Sequence, residues 1–597
     1  MIGLDDPDLS VIEKLTVRKR RATKFDFNQM ELSSDTENSE QSIDPEQIQS
    51  ANETSLEEYL STHLARHYKN CKKLSGEEVM KWQREIIDEP LLKMDSSLDD
   101  IAIQIFKNLL SYMGDRLSSK KPSLHVIKHI RLTINAPEEL KDEAYCQVIK
   151  QITNNLDEQK CKFGWNFFAI LASCYPPSTE LYYSLLNYLL KIIRENKKDD
   201  LVKRANYILI RLSRTFEQKR KLSPTDFEIK YIENMKPIII TVNFYSGANT
   251  SIPIESYTTI RELKVLIMRK LQFNISRIPY YAIYEICDKP DCIEKRYLDE
   301  STKVVDILTV WNKEKLDYEK KNIQIEFNFY LQIQLYYKYN KDDLDTVTMN
   351  YIQTNFDVLW GQYNLDENEI CNLAAISLYI NNNNNNSNEE LYNILKDDLK
   401  SYIPLNKIKK YNDEIWTKKI MDIYVTLKYD NLLSAKNAYL DILSKNIVYE
   451  GYQFFCTFSK KLNSELSNSQ HIKNPDHITD ECIVIVKPNE VVITDKERNE
   501  LLTLPFNTIA SYAVNNEIFV IVSRKSDREY TKYYFENNQT KIFRILMDSY
   551  TAMLSGNGIG EIINNNEQIS KMFDNFPLAK LKPGQTLRSL HSIILKK

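Results

Sequence analysis

The 597-residue sequence predicts a multidomain chain: an all-α bundle, then a small mixed α/β lobe, a second helical unit, and a β-sandwich closed by a helix. Three observations predict it. The length exceeds what one hydrophobic core serves, so four to five units of roughly 100 to 150 residues are expected. Apolar residues recur every three or four positions from Leu60 to about Phe216, and helical patterning returns before Ser444. From Pro237 and again from Phe454 the pattern turns β-branched, aromatic and alternating, as in half-buried strands.

Residues 1–58 read as a disordered leader, with Arg18-Lys19-Arg20-Arg21 followed by Glu31–Glu58, nine acidic residues and no Lys or Arg. The bundle is carried by stripes such as Ile101, Ile105, Leu109 and Tyr112, and Leu181, Leu185, Tyr188 and Leu189. Ile238–Tyr245 reads as a strand and Ser246-Gly247 as its turn. Thr259-Ile260-Arg261-Glu262 fits a capping box, in which hydroxyl and carboxylate satisfy reciprocal backbone donors at the start of a helix to about Leu271. The order strand, strand, helix, strand suggests a ubiquitin-like β-grasp. Residues 322–333 read as a strand, followed by helical text interrupted at Asn381–Asn386, a polar surface loop. Cys482–Val486, Glu490–Thr494 and Phe519–Val522 belong to a predicted seven-stranded sandwich of the PH/PTB kind, closed by a helix from about Gln539 to Leu554. Residues 557–597 form a tail with a basic end.

Composition narrows function by exclusion. Lys plus Arg total 79 against 83 Asp plus Glu, so no chain-wide field draws the protein to nucleic acid or lipid, and any such attraction must be local. The nine cysteines are scattered at irregular spacings and no apolar signal run follows Met1, which points to the cytosol rather than a disulfide framework. Runs such as Ile101–Tyr112 are too short or interrupted to cross a bilayer.

Several segments carry a family resemblance. Pro90-Leu91-Leu92, Ala102–Phe106 and Tyr112–Asp115 resemble the opening of a MyTH4 domain; Leu140–Asn155, Gly164-Trp165 and Tyr175-Pro176-Pro177-Ser178 resemble its later signature. Leu298, Val305–Leu308 and Trp311 resemble the end of a FERM F1 lobe, Asp357–Tyr363 the F2 lobe and Tyr452–Phe455 the entry to F3. Lys141 stands where Arg is usual, and Ala169–Ala172 lacks the usual glycine. The resemblance is to the MyTH4–FERM module of unconventional myosin tails of the myosin VII, X and XV kind, here without a motor domain. It implies MyTH4 over 60–225 and FERM over 237–556, divided into a β-grasp F1 (237–316), an acyl-CoA-binding-protein-like helical F2 (320–446) and a PH/PTB-like F3 (447–556). Pro224–Ile229 resembles the linker that fixes the two domains together. The implied function is a non-enzymatic adaptor without cofactors, in the cytoplasm, on the cytoskeleton and at the inner face of the plasma membrane. Its implied partners are receptor or adhesion-protein tails, microtubules or actin-associated proteins, and anionic phosphoinositides, with no nucleic acid. A membrane–cytoskeleton linker of the ERM or talin type, working through phosphoinositides and actin, is the alternative.

Candidate sites follow from local chemistry. Lys120, Lys121, His125, Lys128, His129 and Arg131 form a basic cluster, and 125, 128, 129 and 132 share one face of a helix. The resemblance makes this a microtubule-facing patch; the bland alternative is a solvated helix. The groove that FERM and PTB-like domains use for short peptides is expected between Thr508, Ile509, Ser511 and Tyr512 on a strand and Lys541, Phe543 and Arg544 on the closing helix. Thr23 after the basic run reads as a phosphosite whose phosphate would offset about two charges, against membrane-surface or nuclear-address readings. His63, His67 and Cys71 repeat every four residues, but one straight helix cannot converge three such ligands on a tetrahedral ion. His63–His67 and His125–His129 lack the glutamate of H-E-x-x-H. Gly556-Asn557-Gly558-Ile559-Gly560 is mis-spaced for a dinucleotide loop and reads as a helix stop. Neither a phosphate loop of the G-x-x-x-x-G-K-S/T type nor a G-x-S-x-G elbow occurs.

Overall fold

The structure, a computed structural model, describes residues 55–554 apart from 66–75, 196–197, 218–219, 273–274, 290–292, 383–386, 405, 459–477 and 527–528. Thr23, His67, Cys71, Asn383–Asn386 and the glycine run from Gly556 lie outside the described residues.

The first unit comprises α1 (Leu56–His63), α2 (Asp99–Met113), α3 (Pro122–Thr133), α4 (Glu138–Ile152), α5 (Glu158–Cys174), α6 (Thr179–Glu195), α7 (Asp199–Glu217) and α8 (Asp226–Glu233). One apolar cluster runs through them from Leu56 to Ile232. Ser55 and Glu58 form a reciprocal capping box, so helix begins within what the sequence reading assigned to the leader. α4 holds the signature run and is the central helix: twelve of its fifteen residues are buried, so its polar side chains must find partners inside. Asp142 accepts from the Tyr59 hydroxyl at 2.9 Å and the Ser178 N–H at 2.7 Å, joining α1 and the start of α6. Glu143 accepts from the N–H groups of Leu91 and Leu92 at 2.9 and 2.8 Å. Lys150 donates to the carbonyls of Val79 and Lys81 at 2.5 and 2.6 Å. The polar letters of the signature therefore clamp three connecting segments onto the bundle.

The second unit has β1 (Ile238–Asn243), β2 (Asn249–Ile254), α9 (Ile260–Lys270), β3 (Tyr281–Asp288), β4 (Ile293–Tyr297), α10 (Val304–Glu319) and β5 (Glu326–Ile333). The capping box expected at Thr259 and Glu262 is present. The sheet order is β2-β1-β5-β3-β4, with β1 and β5 parallel, as in a β-grasp. β5 is the central strand, so the sequence boundary that placed residues from 320 in the second helical unit moves to about Leu335. The strand's partners lie some 40 to 90 residues upstream, which leaves no local sign of its sheet.

Helices α11 (Leu344–Leu359), α12 (Glu367–Asn382), α13 (Asn388–Asp397), α14 (Asp413–Tyr424) and α15 (Leu432–Leu443) form the third unit. The fourth has β6 (Tyr452–Phe458), β7 (Glu481–Val486), β8 (Glu490–Thr494), β9 (Glu500–Pro505), β10 (Ile509–Val514), β11 (Ile518–Ser526), β12 (Glu529–Glu536) and α16 (Thr540–Leu554). Its sheet has seven strands, in the order β10-β11-β12-β6-β7-β8-β9, with α16 packed against it through Ile542, Phe543, Leu546 and Met547.

The last three units share apolar cores. Ile483, Ile485 and Val492 of the sandwich join the cluster of the β-grasp and helical units, and Ala282, Tyr284 and Leu335 enter the sandwich core. The bundle meets the β-grasp mainly through ions, with Tyr231 of α8 packed against the platform's core. Arg220, 1% exposed, binds Glu228 with two hydrogen bonds of 2.5 and 2.7 Å and Asp306 of α10 at 2.9 Å. Arg211 pairs with Glu255 and Arg214 with Glu262.

Candidate functional site

β10 ends the seven-stranded sheet, so among the described residues its outer edge has no strand partner. Beside it a groove of 570 Å³ opens between β10 and α16, lined by Phe506, Asn507, Ile509, Ser511, Tyr512, Thr551 and Leu554 among others. The Tyr512 hydroxyl donates to Asp548 Oδ1 at 2.6 Å and ties strand to helix at the groove wall. Burial and the Asp548 carboxylate raise the Tyr512 phenol well above its ordinary range, so it stays a neutral donor. An edge strand beside an apolar cleft can accept an extended peptide, with backbone bonds for affinity and pockets for alternate side chains.

Of the predicted groove residues, Ile509, Ser511 and Tyr512 line it. Thr508 lies just before β10 and donates to the Pro505 carbonyl at 2.7 Å, shaping the turn. Phe543 is a correction: it is fully buried and stacks on Phe519 with centroids 3.9 Å apart, because this side of α16 faces the sheet. Lys541 is also displaced from the groove: it pairs with Asp299 of the β-grasp unit. Against the upward push of burial, Lys541 and Ser301 hold the Asp299 carboxyl at about 2. Arg544 pairs along the helix with Asp548 at 3.5 Å. Thr551 and Leu554 were missed; they lie about one helical turn and two turns beyond Asp548, the residue bonded to Tyr512.

The basic cluster divides. Lys120, Lys121, Lys128 and Arg131 are exposed and make no ion pair among the described residues. His125 and His129 are corrected out of the patch. His129 is fully buried, its Nδ1 3.1 Å from the Ile105 carbonyl and its ring edge-on to Phe167. Burial drives it down to about 3. His125 is 5% exposed with Nε2 2.7 Å from the Ser118 hydroxyl, and burial with Lys128, Arg116 and Lys120 lowers it. Helical spacing places these histidines beside the lysines without saying which side of the stripe faces the core. α3 has no acidic residue in its first turn, so its positive end adds to the lysines.

Comparison with known proteins agrees with this geometry. The family models that match are a MyTH4 domain over residues 127–231, an RA-like domain over 236–335 and a FERM central domain over 339–455. Unconventional myosin heavy chain 6 of Caenorhabditis elegans is 24% identical over 505 residues, 81% of this chain and 22% of that protein. Myosin-VIIa of Drosophila melanogaster is 24% identical over 433 residues, 71% of this chain and 18% of that protein. The chain thus spans about a fifth of the length of these relatives. The solved MF1 MyTH4–FERM domain of Dictyostelium discoideum myosin VII superposes with a TM-score of 0.68, at 19% identity, covering 86% of this chain and 99% of that one. The C-terminal MyTH4–FERM domain of human myosin 7b, solved with the harmonin-a PDZ3 domain, gives 0.61 at 19% identity, covering 84% and 96%. A helical bundle docked to a β-grasp, helical and sandwich platform is the architecture of a MyTH4–FERM module. The chain belongs with the MyTH4–FERM proteins and is homologous to the unconventional myosins.

Proposed function

We propose that the chain is a non-enzymatic adaptor that gathers protein partners on its FERM platform, and that the groove between β10 and α16 takes an extended partner segment. The observation that carries this is the open strand edge beside a 570 Å³ apolar cleft. Cytoplasmic tails of receptors or adhesion proteins have the required chemistry: unstructured chain that can add a strand. The myosin 7b domain is solved with a PDZ domain, which supports folded protein partners as a second class for this architecture. The exposed Lys120, Lys121, Lys128 and Arg131 add a salt-sensitive attraction for polyanionic surfaces, microtubules among them. On this reading the working protein acts on the cytoskeleton and at the inner face of the plasma membrane.

A displayed library of random peptides tests the groove. Peptides selected on the full chain should compete with one another and lose at least about tenfold in affinity to Ser511→Trp, which fills the cleft, and to Leu554→Asp, which charges its rim. Selected peptides that bind both variants as tightly as the parent would place binding elsewhere.

A further inference from the structure

The end of the bundle where α2 gives way to α3 carries an unusual surface. Leu117 and Leu156 are each 97% exposed, the most exposed large apolar side chains among the described residues. They stand on separate connections, yet those connections are held together. Lys160 bonds Asp115, two residues before Leu117, at 2.9 Å, and approaches Asp157, next to Leu156, at 3.8 Å. Trp82 joins from a third segment, its indole N–H donating to Asp115 at 3.3 Å and its backbone N–H to the Thr153 carbonyl at 2.9 Å. Gly114, at φ 81°, turns the chain out of α2 into the first of these connections.

Charge around the two leucines is one-sided. Arg116, Lys120, Lys121 and Lys128 are exposed and make no ion pair among the described residues, and α3 points its positive end the same way. The nearby carboxylates are engaged: Asp115 and Asp157 by Lys160, Glu158 by Lys198 at 3.3 Å and Asp226 by Lys230 at 3.4 Å. Lys120 stands close enough to Lys128 to lower the latter's affinity for its proton, a repulsion that an anionic surface would relieve.

We propose that this end of the bundle docks on an anionic bilayer, Leu117 and Leu156 entering the interface while Arg116, Lys120, Lys121 and Lys128 meet the headgroups. The attraction per cation near such a surface is modest and screened by salt, so charge alone gives loose adsorption; buried apolar side chains supply the second signal. A bilayer fits better than an acidic filament surface. Both leucines project fully into solvent from loop positions and are ringed by cations, a form that suits insertion of apolar side chains into a deformable interface beneath anionic headgroups. No helix among the described residues is long and apolar enough to cross a membrane, so the contact would be peripheral. The proposal does not rest on the peptide groove.

Co-sedimentation of the full chain with phosphatidylcholine–phosphatidylserine vesicles, against pure phosphatidylcholine, tests it. The chain should bind the anionic vesicles and not the neutral ones. Leu117→Ser with Leu156→Ser should weaken binding at least about tenfold, with the melting temperature and groove-peptide affinity unchanged, because both side chains are exposed in the free protein. Lys120→Glu with Lys121→Glu should abolish it. Absence of binding to the anionic vesicles, or equal binding by the double-leucine variant, would overturn insertion. Pelleting with microtubules that the leucine changes weaken, with no vesicle binding, would reassign the surface to a protein polyanion and overturn the bilayer.

Discussion

At His129 the cost of burial decides the protonation state. The ring is enclosed by α2 and α5, and burial lowers it to about 3, whereas in the unfolded chain it titrates near the ordinary histidine value of 6.5. Between these values the unfolded chain binds the extra proton. Stability from this residue is therefore constant above about pH 6.5 and falls by about 1.4 kcal/mol per unit as pH drops below it. His129→Gln should remove that slope, so the stability difference between parent and variant should narrow by about 2 kcal/mol between pH 6.5 and pH 5, measured by urea unfolding of the bundle. Lys150 is the complementary case. Burial lowers it to about 8, and it donates to two carbonyls, holding the segment at Val79 and Lys81. Lys150→Met should leave both carbonyls unpaired and cost the bundle about 2 kcal/mol in the same measurement. A cost near zero would mean that the connection finds water instead.

At the scale of elements, the contact of β10 with α16 is set by Tyr512. Tyr512→Phe keeps the ring and removes the bond to Asp548, which Arg544 still approaches at 3.5 Å; the sandwich should lose about 1 kcal/mol, read by chemical denaturation. The elements themselves were largely legible in the sequence, because strand and helix periods are local: Cys482–Val486, Thr259 as a cap and the closing helix all stand where the pattern places them. What was not legible depended on distant residues. β5 reads as a strand, yet only its pairing with Val242 and with β3 shows that it completes the β-grasp. Phe543 reads as a groove residue until Phe519 packs on it. The histidines of α3 share a helical stripe with Lys128 in sequence, and only α2 and α5 decide that His129 points inward. Half the groove strand was legible through Ile509, Ser511 and Tyr512, while Thr551 and Leu554 gain their position from the Tyr512–Asp548 bond.

For the whole molecule, the decisive feature is how two separately cored halves become one body. The bundle's apolar cluster ends at Ile232, and the platform's begins at Ile238; Arg220 lies at their junction with Glu228 and Asp306, all three side chains at most 10% exposed. Such a network holds position because breaking it strands buried charge, although replacing the whole set with apolar groups can be nearly neutral. Arg220→Ala should therefore leave two buried carboxylates uncompensated and cost about 3–5 kcal/mol of docking, releasing the bundle from the platform. The expected signs are a larger radius of gyration in solution scattering and separate unfolding of bundle and platform. Neutralising the partners in the same chain, Arg220→Met with Glu228→Gln and Asp306→Asn, should restore much of the stability, since it removes the stranded charges while leaving the apolar contacts. If Arg220→Ala left both radius and unfolding unchanged, Arg211 with Glu255 and Arg214 with Glu262 would suffice to hold the halves together, and Arg220 would serve the local fold of the linker rather than the docking of the two domains.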